Sequence, residues 1–386
     1  MINVKDSPAF SDRARAWAAT MGGATANASS SVRLAHSNSS AAIVGAPPLG
    51  RSEREDLEER LLAAGATRSH GAGTRALDEQ PDPLRTCFER DRDRILHASA
   101  FRRLAGKTQV FVFPADNQRT RLTHALEVAQ VALSVARALR VNVALAEAIA
   151  LGHDCGHGPG GHASEDALDP YVEQGYDHAV WGAEVVLVPL NLCSETLDGI
   201  RNHSWSRPAP ATPEGEIVSW ADRIAYVCHD FEDAVAAGIV GPKDLPAVVL
   251  ERCGETRRLQ LAAFIGAMVE AATTTGRIGM TEPHAEALAA FRLFNYERIY
   301  LRPESVAQGQ VVIRLLRALV EHYSAQPHLL PAAYHCRDLL PASAATFYAA
   351  VTYVGGMTDR FACQRAVEQL SWPAKELRAS FKVDIN

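Results

Sequence analysis

RLTHALEVAQVALSVARALR, residues 121–140, decides how the chain is read. Leu122, Ala125, Leu126, Ala129, Leu133, Ala136 and Leu139 recur at the spacing of a helix that buries one broad stripe, and His124 sits near its start. The next stretch, VALAEAIALGHD (143–154), reads as a second helix with His153 and Asp154 in its last turn, before Gly156 opens a loop. A third, EGEIVSWADRIAYVCHDFEDAVAAG (214–238), sets Asp222, Tyr226 and Asp230 four apart on one face, and Gly238 is its stop. From RSEREDLEERLL (51–62) onward the Ala, Leu, Glu and Arg content favours helices, and no segment alternates as a strand must. The expected fold class is all-α.

Composition narrows the function classes. At 386 residues, with 47% apolar and 22% charged residues, the chain can bury a sizeable core. A formal net charge of −6 argues against a protein that coats nucleic acid and points to a small anionic partner. The cysteines, at 87, 155, 193, 228, 253, 336 and 363, are odd in number and form no CxxC pair, so neither a disulfide framework nor a thiolate zinc site is expected. With no run of about eighteen apolar residues and no signal-peptide order at the N-terminus, a soluble cytoplasmic protein is expected, with no membrane partner. Residues 1 to about 50, rich in Ser, Ala and Gly, read as a flexible extension.

The loop HDCGHGPGGHASED (153–166) crowds three histidines among four glycines. A single histidine near a helix start is weak support for a ligand. The order of His124, then His153-Asp154, then Asp222, each in an apolar helical setting where an unpaired charge would be costly, is stronger. Two imidazoles and two carboxylates without a thiolate suit a divalent cation such as Mn, Mg, Fe, Co or Ni, with coordination positions left for water and substrate.

PLRTCFERDRDRILHASAFRRLAGKTQVF, RTRLTHALEVAQVA, LAEAIALGHDCGHGPGGHASE, YDHAVWG and ADRIAYVCHDFEDA follow one another in an order and spacing that resemble the HD-domain phosphohydrolases. Within these, the resemblance is to the deoxyguanosinetriphosphate triphosphohydrolases and their relatives that cleave deoxynucleoside triphosphates. It implies an HD-domain helical architecture with additional C-terminal helices: a single domain over 51–386, with a catalytic core at about 82–240 and a helical region at about 241–386. It further implies His124, His153, Asp154 and Asp222 as ligands of one divalent metal ion per subunit, and a deoxynucleoside plus inorganic triphosphate as products. His162 with Glu165 is implied for proton transfer at the α-phosphate, His157 as a phosphate contact and His178 near the scissile bond. Gln109 near the sugar 3′-hydroxyl, Arg121 and Arg223 at the phosphates, and Tyr226 and Asp230 along the same helix face complete the implied substrate site. A homo-oligomer, often a hexamer in relatives, and a single-stranded nucleic-acid effector are the implied partners beside the dNTP.

Two positions depart from the family pattern. Gly160 stands where relatives carry Phe, and Ala179 where they often carry Glu or Asn, which implies a less firmly anchored loop around His162. Two other readings remain at this stage: an HD phosphodiesterase or 5′-nucleotidase acting on other nucleotides or nucleic-acid ends, and a catalytically weak nucleotide-sensing oligomer.

Overall fold

The computed structural model describes residues 11–25, 31–43, 45, 47–113, 118–334 and 339–381; the remainder, Cys336 included, lie outside the described residues. The chain divides into two compact units, Met1–Pro48 and Leu49–Asn386. In the first unit, helix α1 (Asp12–Ala19) is capped by the Ser11 hydroxyl, which accepts from the Ala14 amide at 3.2 Å. Strands β1 (Ala24–Thr25) and β2 (Arg33–Leu34) pair antiparallel with Ala24 opposite Leu34. This short pair has no counterpart in the sequence reading, because two residues per strand are too few for an alternation to register.

The second unit is helical throughout. Its helices are α2 (Arg51–Leu61), α3 (Cys87–His97), α4 (Ser99–Arg103), α5 (Arg121–Leu139), α6 (Val143–Gly152), α7 (Ala163–Leu168), α8 (His178–Trp181), α9 (Ser194–Arg201) and α10 (Pro213–Ala236). They continue as α11 (Ala247–Cys253), α12 (Arg257–Thr275), α13 (Glu282–Asn295), α14 (Pro303–Ala325), α15 (Ala344–Gly355), α16 (Asp359–Leu370) and α17 (Ala374–Phe381).

Helix α6 is apolar apart from Glu147, which pairs with Arg92, and lies at the centre of one core, packed against α5, α3 and α10. It starts where the Asn142 side chain accepts from the Leu145 amide at 3.1 Å, satisfying one of the amides that a helix start leaves open. Helix α10 begins with the matching device, Thr212 capping the Gly215 amide at 3.1 Å with Pro213 in the first turn. Helix α5 buries Ala125, Val128, Ala129, Val131, Ala132, Val135 and Ala136 between these neighbours. Of the stripe expected from sequence, Ala125, Ala129 and Ala136 are buried, whereas its leucines need correcting: Leu122, Leu133 and Leu139 lie at the margin and Leu126 is 47% exposed. A helix hemmed in by α6, α10 and α12 packs closely only through small and β-branched side chains. A second core gathers α7, α14, α15 and α16. The mutual packing of α5, α6 and α10 positions the functional site, since it brings together the start of α5, the end of α6 and the middle of α10.

Candidate metal centre and active site

At that meeting point His124 from α5, His153 and Asp154 just after α6, and Asp222 from α10 converge. His124 Nε2 lies 3.0 Å from Asp222 Oδ1 and 4.0 Å from Asp154 Oδ2. His153 Nε2 lies 3.7 Å from Asp222 Oδ1 and 3.5 Å from Asp154 Oδ1. The His153 ring is held from behind, Nδ1 donating to the Ala150 carbonyl at 2.7 Å, which leaves a lone pair on Nε2. That Nε2 is buried and has no hydrogen-bond partner. An orphaned imidazole nitrogen facing two carboxylates fits a divalent cation, and no thiolate competes for the choice of metal.

The charges around this centre are tuned by burial and by one another. Burial raises the Asp154 pKa, but the Arg121 guanidinium, helped by the hydrogen bond from His157, outweighs it and holds the carboxyl well below its ordinary value. Burial likewise raises Asp222, and the hydrogen bond with His124 brings it down again below the carboxylate range. Arg121 Nη1 pairs with Asp154 Oδ2 at 2.6 Å, both side chains buried. Its Nε and Nη2 are buried without partners, so the guanidinium keeps donors in reserve.

His157 Nε2 lies 3.2 Å from Asp154 Oδ1 and its ring stacks on His178, centroids 3.7 Å apart. Burial, Arg121 and His178 together keep His157 neutral, well below the usual imidazole range. Glu165 bridges the remaining pair, with Oε2 2.9 Å from His162 Nδ1 and Oε1 2.7 Å from His178 Nδ1. The His162 side chain is 75% exposed, which turns its far nitrogen outward from a fixed support. Although burial opposes it, hydrogen bonds with His162 and His178 hold Glu165 well below the carboxylate range.

Of the implied substrate contacts, Arg223 lies with its guanidinium carbon 3.9 Å from the Trp205 ring centroid and 5.9 Å from that of Tyr226. Tyr226 accepts a hydrogen bond from Arg292 Nε at 2.8 Å. Asp230 accepts from the Tyr300 hydroxyl at 2.6 Å, and burial pushes its pKa up to about 7. Gln109 is half-buried with Oε1 unpartnered, next to the Thr108–Thr120 pairing that leads into α5. The loop around Gly160 is not loose. Its amide donates to Asp359 Oδ1 at 2.8 Å, its φ is +75°, and a Cβ there would collide with Val312. Helix α14 thus fills the space that a larger residue would need. Ala179 is fully buried in α8.

Several neighbours escaped the sequence reading. His203, buried two residues past α9, donates through Nδ1 to the Ile200 carbonyl at 2.8 Å and faces His178 across 3.2 Å between the Nε2 atoms. Arg292, Asn295 and Tyr300 come from FRLFNYERIY (291–300). Arg292 and Asn295 lie three apart, and that spacing was the signal that could have revealed a face turned to α10, to which Asn295 Nδ2 donates at the Val227 carbonyl at 2.8 Å.

An HD-domain family model matches residues 121–227, a span that contains all four converging His and Asp positions, and a phosphohydrolase-associated domain model matches 278–368. Fold and site therefore define an HD-domain phosphohydrolase. Deoxyguanosinetriphosphate triphosphohydrolase-like proteins align along most of the chain. That of Caldanaerobacter subterraneus is 37% identical, with 81% of this chain and 93% of the relative covered. That of Desulfatibacillum aliphaticivorans is 35% identical, with 81% and 96% covered, and one from Clostridium perfringens strain 13 is 37% identical, with 81% and 94% covered. The chain belongs to the deoxyguanosinetriphosphate triphosphohydrolase-like family. No helix among the described residues is long and apolar enough to cross a membrane.

Proposed function

We propose that the protein hydrolyses deoxynucleoside triphosphates to the deoxynucleoside and inorganic triphosphate. The observation that carries this reading is the buried convergence of His124, His153, Asp154 and Asp222 beside an arginine, Arg121, whose Nε and Nη2 have no partner. The names of the aligned relatives support the same substrate class.

A divalent ion held by those four residues would supply Lewis acidity toward a phosphate oxygen. The chain's own groups carry the rest. Arg121, through its open donors, and Arg223, stacked on Trp205, meet the negative charge of the phosphate chain. Neutral His157, whose Nε2–H is given to Asp154, adds no charge beside the phosphates. Water attacks the α-phosphorus as the bond to the 5′-oxygen breaks, and His162, steadied by Glu165, delivers a proton to the leaving 5′-oxygen and is restored by one from the attacking water, whose other proton passes to solvent. Tyr226, tethered by Arg292, packs under the sugar and disfavours a 2′-hydroxyl.

Hydrolysis of dGTP in heavy-oxygen water tests the whole scheme. The label is expected on the newly formed end of released triphosphate. Pyrophosphate or orthophosphate as the first labelled product would overturn the reading in favour of another phosphohydrolase chemistry.

A further inference from the structure

Trp205 stands in the segment that links α9 to α10, two residues past His203, and is 48% exposed. An indole that open adds little to a core, yet this one is tied down on several sides. Its Nε1–H donates to the Ser219 carbonyl at 3.2 Å, and the Ser219 hydroxyl donates back to the His203 carbonyl at 2.5 Å. The Trp220 ring meets it in a T-shaped contact, centroids 4.7 Å apart at 74°. Ser219 and Trp220 belong to α10, which also carries Arg223. The plane of the Trp205 ring is therefore set by the same helix whose guanidinium it touches.

What the ring holds is a cation without a counter-ion. The Arg223 guanidinium carbon lies over the indole, 3.9 Å from its centroid, and within 5.9 Å of the Tyr226 centroid. Among the described residues no carboxylate pairs with Arg223, and its Nε is buried without a hydrogen-bond partner. The two ways of fixing an arginine differ in what they leave over. A carboxylate takes up in-plane N–H donors and offsets the charge. An aromatic face does neither: it attracts the guanidinium through the ring quadrupole, and the donors stay open at the edge. Arg121, by contrast, commits one nitrogen to Asp154.

We propose that Trp205 is a positioning residue for phosphate binding, presenting Arg223 to the triphosphate of the substrate with its charge not neutralised and its edge donors free. The inference rests on the phosphate role proposed for Arg223, and it assigns the aim of that group to a side chain that itself touches no substrate. Because the stack acts on phosphate alone, it serves every nucleoside triphosphate alike and takes no part in choosing the sugar.

The test is a double-mutant cycle, read by calorimetric binding of inorganic triphosphate to the full chain in the presence of Mn²⁺. Trp205→Leu is expected to weaken that binding by roughly 2- to 30-fold, the span of a guanidinium–indole contact between exposed and desolvated settings. Trp205→Phe, which keeps an aromatic face, should lose less. In an Arg223→Ala background the same Trp205→Leu change should have no further effect. In steady-state kinetics Trp205→Leu should raise KM for dGTP and GTP by a similar factor, with kcat altered less. Parental affinity in Trp205→Leu, an equal loss with and without Arg223, or no triphosphate binding by the parent each overturns the proposal. The proposed activity is judged separately: coupling between the two positions in a protein that leaves dNTPs intact overturns the substrate and keeps the role of Trp205, and dNTP hydrolysis without coupling does the reverse.

Discussion

Asp359, in the first turn of α16, accepts a hydrogen bond from the Gly160 amide at 2.8 Å across 199 positions of the chain. Its other oxygen accepts from the Thr108 amide at 2.9 Å and from the Thr108 hydroxyl. One carboxylate from the C-terminal helices thus pins both the histidine-rich loop and the segment that leads into α5. Asp359→Ala strands buried donors, a loss of roughly 1–3 kcal/mol, and frees the loop two residues before His162. Melting temperature should fall, and kcat for dNTP hydrolysis should fall more than KM rises; an unchanged kcat in a folded variant contradicts this positioning role.

His153→Ala deletes a nitrogen aimed at the centre and nothing that touches solvent. Loss of a group that merely orients a ligand weakens metal affinity by about 10–100-fold, so loss of a ligand itself should weaken it by more than ~100-fold. Mn²⁺ titration measures it, and parental affinity in the variant would remove His153 from the ligand set. This substitution is cleaner than Asp154→Ala, which also leaves Arg121 buried without its counter-ion.

His162→Ala should keep its metal and lower kcat by about 10²–10⁴-fold, the usual range for a positioned proton donor. Metal content and steady-state kinetics on the same sample separate the two effects. Parental turnover would make the His162–Glu165 contact structural.

Lys107 is buried and donates to the carbonyls of His157 and Gly355, the latter at 3.0 Å. Burial, with the nearby charge of Arg103 adding to it, pulls its pKa down to about 7, and a neutral amine still has the two hydrogens these carbonyls require. Unfolded, the lysine titrates at about 10.4, so between about pH 7 and 10 the unfolded chain binds the proton that the folded chain has released. Stability contributed by this site therefore rises with pH through that window and is absent below it. Denaturation midpoints of the parent, compared with Lys107→Met across the window, should diverge in the parent's favour as pH increases; a constant difference would refute the assignment.

Tyr226 is tethered at its hydroxyl by Arg292, which fixes the ring's tilt. Exclusion of one hydroxyl by shape is worth roughly 10- to 200-fold, and Tyr226→Ala should erase about that much of the preference for dGTP over GTP. Relative kcat/KM values for the two nucleotides measure it; an unaltered ratio assigns sugar selection elsewhere.

How much of this was legible in sequence follows from the range of the interactions. The helices that carry His124, His153 and Asp222 could be read because periodicity and helix stops are local, as at Gly238, which follows the end of α10 with a φ of +68°. The identity of the buried face of α5 could not, because leucine and alanine both satisfy a helical stripe and only the neighbours decide which is small enough to be enclosed. Gly160 illustrates the same limit: in sequence it is a missing side chain, while its anchor, Asp359, and the side chain that occupies the vacated space, Val312, lie far along the chain. His203 went unnoticed because a histidine after a short helix carries no local mark of what it faces.

The contact between Gly160 and Val312 also constrains the order in which these two positions can be substituted. A phenylalanine at 160 is barred twice over: the left-handed backbone there disfavours any side chain, and the Val312 isopropyl group stands where the first carbon would go. Position 312 would have to shrink and the loop backbone relax before position 160 could grow, and each step taken alone opens a void or forces a clash. The two positions are coupled through space: the side chain on α14 sets the size of residue that the loop can carry at 160.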